Sequence, residues 1–145
     1  MSRPYIIKEV DGFDGAIALE LEQLHIETFW NDAPQINPEI GHWWLVYSNK
    51  EAIGFAGMQE STVYPGSGYF NRVGVLHKHR GQRLTIRLMM AIASRARRNG
   101  WKSIVSDNTT DNPASANNFM RLGYRMFWPK RPWGLPNSMY WHKQL

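Results

Sequence analysis

The chain contains no cysteine, which excludes thiol nucleophiles, thiolate metal ligands and disulfide bonds. A lack of cysteine suits a reducing compartment, and we expect a cytoplasmic protein. No apolar run reaches the length that spans a membrane, and the first residues lack the apolar segment of a signal peptide. Neither cysteine chemistry nor membrane insertion is therefore expected.

Acidic residues are missing between Glu60 and Asp107. Ten of the twelve Asp and Glu residues lie in residues 1–60, whereas fourteen of the seventeen Lys and Arg residues lie in residues 61–145. A basic half of this kind indicates a polyanionic ligand, which is either nucleic acid or a phosphorylated cofactor. The alternative is a solvated cationic face that binds no ligand.

The apolar periodicity predicts a mixed α/β protein in a single domain covering residues 1–145. Helices are predicted over residues 14–30, 84–99 and 113–122. Strands are predicted over residues 5–10, 43–47, 52–59, 69–76, 101–106, 124–128 and 139–142. Turns are expected at 48–50 and 64–68, and a loop at 31–41. This order of elements implies a mixed sheet with helices on its faces.

The segment 73–85 is typical of a strand that passes through a donor-rich turn into a helix. The first N–H groups of a helix are unpaired and carry partial positive charge, so they attract anions. Four basic residues accompany this helix start, namely Lys78, Arg80, Arg83 and Arg87. The segment therefore predicts a phosphate-binding site.

Two motifs lie about one strand apart in the second half of the chain. The first is Val75-x-x-x-x-Arg80-Gly81-x-x-Leu84, and the second is Asn112-x-x-Ser115-x-x-x-Phe119-x-x-x-Gly123-Tyr124. Together they resemble the GNAT superfamily of acetyl-CoA-dependent N-acetyltransferases, whose phosphate loop is usually Gln/Arg-x-x-Gly-x-Gly/Ala. The downstream helix of that family usually reads Asn-x-x-Ala-x-x-x-Tyr-x-x-x-Gly-Phe. The order of elements fits the same family, so the resemblance covers most of the chain.

The resemblance implies a GNAT-like α/β domain with a central mixed, mostly antiparallel sheet and helices on both faces. It also implies acetyl-CoA as co-substrate, and no metal. The cofactor-binding residues that it implies are Val73, Val75, Arg80, Gly81, Gln82, Arg83, Leu84, Thr85, Asn112, Ser115 and Phe119.

In this interpretation the backbone of Val73 and Val75 pairs with the pantetheine arm, and the N–H groups of residues 81–85 hold the pyrophosphate. Asn112 contacts the arm, with Ser115 and Phe119 alongside it. A purely structural alternative stays open for several of these residues. Val73, Val75 and Leu84 would be core residues in any fold with this pattern, and Asn112 would cap a helix in any case.

The phosphate loop departs from the family pattern at three positions. Arg83 replaces the first motif glycine, Thr85 replaces the second small residue, and His77 replaces a proline. A residue other than glycine can serve at this position if its φ stays negative, and Arg83 could then pair its guanidinium with a phosphate. We expect cofactor binding to be retained, because the local basic charge compensates for the lost close approach. The alternative is that these changes weaken or abolish cofactor binding.

Acetyl transfer to an ammonium group requires a base that removes a proton. Asp107 is the first candidate, because it is placed at the end of the strand before Asn112, where ribosomal-protein N-terminal acetyltransferases of the superfamily have a glutamate. The alternative is that Asp107 caps the loop before Thr109. Glu60, at the end of the third strand, is the second candidate, and its alternative is a solvated charge.

Coenzyme A leaves either with a proton from a donor in the site or unassisted as the thiolate. Many family members have a tyrosine at position 119, but Phe119 cannot donate a proton. Water, Tyr124 or Tyr140 are the remaining donors, and a thiolate leaves tolerably near neutral pH without one. His25 is expected on a helix surface and not in the site.

The acceptor region is expected to combine residues 29–39 with the loop 129–136. Five tryptophans could line an aromatic cleft there, or belong to the core or to an oligomer surface: Trp30, Trp43, Trp44, Trp128 and Trp133. The acidic N-terminal half favours a cationic acceptor, either a small-molecule amine or a peptide amine. A homodimer is compatible with the family.

The sequence therefore predicts an N-acetyltransferase that moves an acetyl group from acetyl-CoA to a primary amine by direct transfer in a ternary complex. The alternative is a catalytically silent GNAT-like module that binds an acyl-CoA or a protein partner. A nucleic-acid-binding domain is disfavoured, because the chain carries no recognised nucleic-acid motif and its arginines cluster at helix ends.

Overall fold

Local capping chemistry sets where two helices of the chain begin. The computed structural model describes residues 4–30 and 33–145. Helix α1 (Gly15–Thr28) follows Asp14, whose carboxylate accepts from the N–H groups of Ala16 and Ile17. Helix α3 (Pro113–Arg121) follows the cap Asn112 and has proline in its first turn. Helix α2 (Leu84–Arg98) ends in three arginines before Gly100, which has a φ of 76°.

Seven strands of the described residues form one mixed sheet. They are β1 (Ile6–Val10), β2 (His42–Ser48), β3 (Glu51–Glu60), β4 (Gly68–Val75), β5 (Ser103–Thr109), β6 (Arg125–Met126) and β7 (Ser138–Gln144). The strand order in the sheet is β1-β2-β3-β4-β5-β7-β6. Strands β4 and β5 pair in parallel, whereas the pairs β1–β2, β2–β3, β5–β7 and β6–β7 are antiparallel. The predicted mixed α/β fold class is thereby confirmed.

The chain forms two compact units, which are described in turn. The first comprises the described residues up to Met58 together with Arg72–Leu88, and the second comprises Gln59–Asn71 and Met89–Leu145. The prediction of a single domain over residues 1–145 stays a prediction.

The core of the first unit lies under α1. Leu21 and Leu24 of this helix pack with Trp43, Leu45 and Phe55, all of which are buried. This pattern follows from apolar residues at three- and four-residue spacing, which places one helix face on the strands. Trp43 and Trp44 are both 2% exposed, so these two tryptophans belong to the core and not to an acceptor cleft.

His25 also lies in this core, and its predicted surface position is wrong. The imidazole is 4% exposed and stacks on Phe29 with ring centroids 4.6 Å apart. Its Nε2 is buried without a hydrogen-bond partner among the described residues. Burial and the nearby positive charge of Arg72 lower the pKa of His25 below its usual value.

The core of the second unit is largely aromatic. Phe119 stacks on Trp141 at 5.4 Å and meets Phe70 edge-on at 6.1 Å. The Trp141 indole N–H donates to Asn108 Oδ1 at 2.6 Å, which satisfies the one polar atom of this buried ring. Ser106 donates to Phe70 O at 2.6 Å, which ties β5 to β4.

Several predicted boundaries move in the structure. The turn between β2 and β3 is as expected, because Asn49 and Lys50 adopt φ values of 57° and 69° that suit a tight hairpin. The predicted strand 124–128 shrinks to Arg125–Met126, which are in register with His142 and Trp141 of β7, and the next residue, Phe127, adds one backbone bond to Tyr140 O at 3.0 Å. The predicted loop 31–41 begins at Asn31, and residues 31 and 32 lie outside the described residues.

Candidate functional site

The C-terminal part of β4 packs closely against the end of α1 in the first unit. A Cβ added to Gly74 would stand 2.2 Å from Thr28 Oγ1, so only glycine fits between Val73 and Val75. Thr28 in turn donates to Leu24 O at 2.7 Å. Val75 is buried and Val73 is half-buried. The strand that leads into the predicted phosphate loop is therefore held in one position.

The loop after β4 folds back onto that strand. Leu76 N–H donates to Ile53 O at 2.9 Å, and a short 3₁₀ helix, His77–His79, follows. The guanidinium Nε of Arg80 then donates to Val75 O at 3.1 Å. Arg80 thus fastens the loop to the strand end, in addition to the charge that it contributes.

The N-terminal segment provides a second anchor for this loop. The Tyr5 hydroxyl lies 2.9 Å from His79 Nδ1, and the rings of these two residues meet edge-on at 5.7 Å. The guanidinium of Arg87 donates to Tyr5 O at 3.3 Å. Tyr5 was absent from the sequence-based site, because more than seventy residues separate it from its partners and no motif marks the contact.

Arg83 has a left-handed backbone conformation with a φ of 59°. The condition of a negative φ at this residue is therefore not met. A left-handed conformation costs a residue with a Cβ about 1–2 kcal/mol, and such strain is concentrated at functional sites. Gly81, two residues earlier, also has a positive φ, of 80°. The backbone thus takes a glycine-like shape where the family has its motif glycine, although the residue is arginine.

Helix α2 begins directly after Arg83, because Arg83 O accepts from the N–H of Arg87 at 3.2 Å. The N–H groups of the first helical turn have no acceptor within the helix, so this end carries partial positive charge. Lys78, Arg80, Arg83 and Arg87 are exposed around it, and Gly81 and Gln82 are exposed as well. Leu84 is buried and Thr85 is half-buried. The arrangement suits an anion, and phosphate in particular.

In the second unit, Asp107 accepts two side-chain hydrogen bonds through one oxygen. The Tyr69 hydroxyl and the Trp133 indole N–H each donate to Asp107 Oδ1 at 2.9 Å. Asp107 lies within β5 and not at its end, because the strand continues to Thr109. Its partners are distant side chains, so the alternative of a cap for the following loop is also wrong.

The loop between β6 and β7 brings aromatic rings to this carboxylate. Trp133 meets Tyr140 edge-on at 4.8 Å and Tyr69 edge-on at 5.8 Å. Trp128 meets Tyr140 at 5.5 Å and is 74% exposed. Gly134 N–H donates to the Tyr140 hydroxyl at 2.9 Å. The loop thus brings the aromatic ring of Trp133 against the half-buried carboxylate of Asp107.

Sequence reasoning missed Tyr69 as a partner of Asp107. Residues 69 and 107 are 38 positions apart and lie on two parallel strands, with Tyr69 paired to Val105. The sequence predicts Trp133 only as part of the acceptor region. The pairing of the two strands is decided by the fold, and the sequence carries no local signal for it.

Glu60 is exposed at the end of β3. Its Oε2 lies 3.4 Å from Gly66 N, a long contact to the turn that precedes β4. The carboxylate therefore faces solvent and a turn. This environment contrasts with the two side-chain donors on Asp107.

Asn112 caps α3, since its Oδ1 accepts from Ser115 N at 3.3 Å. Its own carbonyl accepts from Asn108 Nδ2 at 3.1 Å. Ser115 is half-buried, whereas Phe119 is 4% exposed in the aromatic core. The start of α3 is thus a polar, hydrogen-bonded corner.

The two tyrosines named as proton donors differ in their surroundings. The Tyr124 hydroxyl is buried without a hydrogen-bond partner in the described part of the chain, and burial raises the pKa of Tyr124 strongly. A group of this kind releases its proton reluctantly. The Tyr140 hydroxyl is already engaged as an acceptor by Gly134. Tyr124 is therefore poorly suited to act as a general acid.

Across residues 4–30 and 33–145, no three His, Asp or Glu side chains come together in a way that could hold a metal ion. Over the same residues, each helix is too short or too polar to cross a membrane.

The chain matches known proteins at the level of family and fold. A sequence model of the Acetyltransferase (GNAT) family matches residues 13–124. No curated protein matches the chain significantly in sequence.

Many solved structures share its fold, and three illustrate the likeness. A Klebsiella pneumoniae protein described as an acyl-CoA N-acyltransferase is 24% identical over 97% of both chains, with a TM-score of 0.72. The NatC complex bound to Gag peptide and CoA contains a chain that is 16% identical, with coverages of 100% and 99% and a TM-score of 0.79. The Salmonella typhimurium protein yncA, solved with acetyl-CoA, is 18% identical, with coverages of 97% and 94% and a TM-score of 0.73. At sequence identities this low, the likeness to these three structures shows a shared fold.

Proposed function

Because the chain belongs to the GNAT acetyltransferase family, we propose that it transfers an acetyl group from acetyl-CoA to a primary amine in a ternary complex. The observation that carries this proposal is the loop before α2. Arg83 keeps the left-handed φ of a glycine there, which presents backbone N–H groups to an anion despite the side chain. Acetyl-CoA is the matching ligand, since the structural neighbour yncA was solved with it.

The pyrophosphate of acetyl-CoA would be held by the N–H groups of residues 81–85. Lys78 and Arg83 add positive charge to this site, and the fork of donors on Arg83 suits two phosphate oxygens. Gln82, Leu84 and Thr85 contribute through their backbone, and Thr85 also through its hydroxyl. Arg80 positions the loop through its bond to Val75 O.

The pantetheine arm would pair with backbone groups of Val73 and Val75 at the end of β4, where Val75 O already accepts from Arg80 Nε. In the second unit, Asn112 and Ser115 offer polar groups at the start of α3, and Phe119 supports them from the core. These assignments follow the family pattern residue by residue.

We assign the general base to Asp107. Its Oδ1 is occupied by Tyr69 and Trp133, and neither bond uses Oδ2. Oδ2 would take a proton from the ammonium of the acceptor, directly or through one water. The neutral amine nitrogen would then attack the thioester carbon, the carbon–sulfur bond would break, and coenzyme A would leave as the thiolate. The second proton of the nitrogen would pass to solvent water as the amide forms.

The thiolate would leave without a tyrosine that donates to it. Phe119 has no proton to give, and burial raises the pKa of Tyr124. An ordinary thiol has a pKa of about 8.5, so the thiolate is a tolerable leaving group near neutral pH.

The acceptor would be an amine whose neighbouring group contacts aromatic side chains. Trp133 donates to Asp107 and Trp128 is 74% exposed in the same loop, and the faces of such indole rings favour cations. A peptide amine is one candidate, because the neighbouring NatC complex binds a peptide together with CoA. We place the reaction in the cytoplasm, which suits a chain without cysteine. A homodimer stays a prediction.

The test is to measure acetyl-CoA binding by calorimetry and then thiol release with a panel of small amines and peptides. Binding in the micromolar range with turnover of at least one amine is expected. The absence of binding at millimolar acetyl-CoA would overturn the proposal. Binding without any turnover would support the silent acyl-CoA-binding module instead.

A further inference from the structure

Helix α1 exposes apolar side chains on the face that is turned away from the core. Leu19 and Ile26 are each 69% exposed, and they are seven residues apart, so they lie on one side of the helix. The buried residues Leu21 and Leu24 occupy the opposite side. A surface helix usually has one apolar face, whereas α1 has two.

This outer face has the spacing of a helix-packing seam. Ala16, Leu19, Gln23 and Ile26 are exposed and follow the three- and four-residue spacing through which two helices interlock. Phe13 before the helix and Trp30 after it are 72% and 60% exposed. Four of the eleven large apolar side chains exposed among the described residues therefore fall between positions 13 and 30.

The charges along this seam have a single sign. Helix α1 contains Glu20, Glu22 and Glu27 and no lysine or arginine. Glu22 and Glu27 are exposed beside the seam, and Glu27 accepts from Gln23 at 3.0 Å. Charges that flank an apolar seam select the partner helix by complementarity, and two acidic flanks repel each other. Symmetric pairing of α1 with α1 of a second copy is therefore disfavoured.

We propose that the outer face of α1, formed by Ala16, Leu19, Gln23 and Ile26, is a docking surface for a basic amphipathic helix of another polypeptide. Leu19 and Ile26 pack between the apolar residues of that helix, and Glu22 and Glu27 pair with its lysines or arginines. This surface is distinct from the residues assigned to acetyl transfer, so the two proposals stand or fall separately.

The test uses two synthetic peptides of about three heptads, with leucine at the seam positions and either lysine or glutamate at the flanking positions. Binding of each labelled peptide to the full chain is followed by fluorescence anisotropy. The lysine peptide should bind at least about tenfold more tightly than the glutamate peptide, and added salt should weaken its binding.

Variants identify the surface. The Leu19→Ser/Ile26→Ser double variant should weaken binding of the lysine peptide at least about tenfold, while the matched variant Met90→Ser, at a methionine that is 59% exposed on α2, should leave it unchanged. Both changes are at exposed positions, and thermal unfolding checks that each variant folds.

Three results would overturn the proposal. One is equal binding of the two peptides, and another is binding that the double variant does not alter. The third is a concentration-dependent dimer, seen by sedimentation velocity, that the double variant dissociates, since a second copy would then occupy the face.

Discussion

The indole Nε1 of Trp133 donates to Oδ1 of Asp107 at 2.9 Å. This bond joins the loop between β6 and β7 to the middle of β5, and the hydroxyl of Tyr69 donates to the same oxygen. The carboxylate is thus held from two sides through one oxygen. Its orientation depends on a loop whose sequence gives no sign of the contact.

Replacing Asp107 by asparagine should lower kcat by about 10²–10⁴-fold, because the amide cannot take a proton from the acceptor. The amide oxygen can still accept from Tyr69 and Trp133, but both bonds lose their charged acceptor, so the free energy of unfolding should fall by about 1–3 kcal/mol. Thiol release and chemical denaturation measure the two effects. Glu60→Gln is the matched control, and loss of activity in that variant alone would move the base to Glu60.

The variant Trp133→Phe keeps an aromatic ring and removes the donor to Asp107. A hydrogen bond to a charged group contributes about 1.5–3 kcal/mol, so kcat/KM for the amine should fall about tenfold or more. The dissociation constant of acetyl-CoA should not change. The matched control is Trp128→Phe, at an exposed tryptophan of the same loop. An equal loss of kcat/KM in both variants would show that the bond from the Trp133 N–H to Asp107 is not the cause.

Two substitutions at Arg83 separate backbone strain from charge. Arg83→Gly relieves the left-handed strain, so the free energy of unfolding should stay level or rise by up to about 1 kcal/mol. Arg83→Ala keeps the strain and should bring no such gain. Both variants lack the guanidinium and should bind acetyl-CoA about tenfold more weakly.

For each Arg83 variant, calorimetry gives the dissociation constant of acetyl-CoA and denaturant titration gives the free energy of unfolding. Lys102→Ala, at an exposed lysine of the second unit, is the charge control and should bind acetyl-CoA normally. Unchanged affinity in both Arg83 variants would show that the backbone alone holds the phosphate.

His25 should make the protein less stable as the pH falls below about 6.5. Burial and then Arg72 lower the pKa of this imidazole in the folded state, so the unfolded chain binds a proton that the folded chain refuses. The free energy of unfolding therefore rises with pH in this window, with a slope of at most about 1.4 kcal/mol per pH unit from this group.

The variant His25→Phe tests this origin, because phenylalanine keeps the stacking on Phe29 and does not titrate. Denaturant unfolding between about pH 5.5 and 7.5, one unit on each side of the ordinary histidine pKa, should give a shallower pH dependence for the variant. Identical slopes for the two proteins would assign the effect to other groups.

Parts of the fold could be predicted because their signals are local. Asp14 and Asn112 cap helices wherever the surrounding chain goes, since each carboxylate or amide reaches N–H groups two or three residues ahead. The hairpin turn at Asn49 and Lys50 is equally local. The strand predicted over 124–128 was too long, because pairing with β7 decides its length.

The burial of His25 could not be predicted from the sequence. Its neighbours in the helix do not distinguish a surface histidine from a core one, and only the packing of Phe29 and Phe55 around the ring settles it. The same holds for Trp43, whose ring lies 2.5 Å from where a Cβ on Gly57 would stand.

The sequence by itself determined the class of fold, the family and the loop that is suited to phosphate, because each depends on spacing along a short stretch of chain. The tertiary structure alone decided the left-handed backbone of Arg83, the burial of His25 and the bonds from Tyr69 and Trp133 to Asp107. These features join residues that are far apart in the sequence or depend on packing. Contacts across such separations arise only when the strands have paired, and no local pattern encodes them.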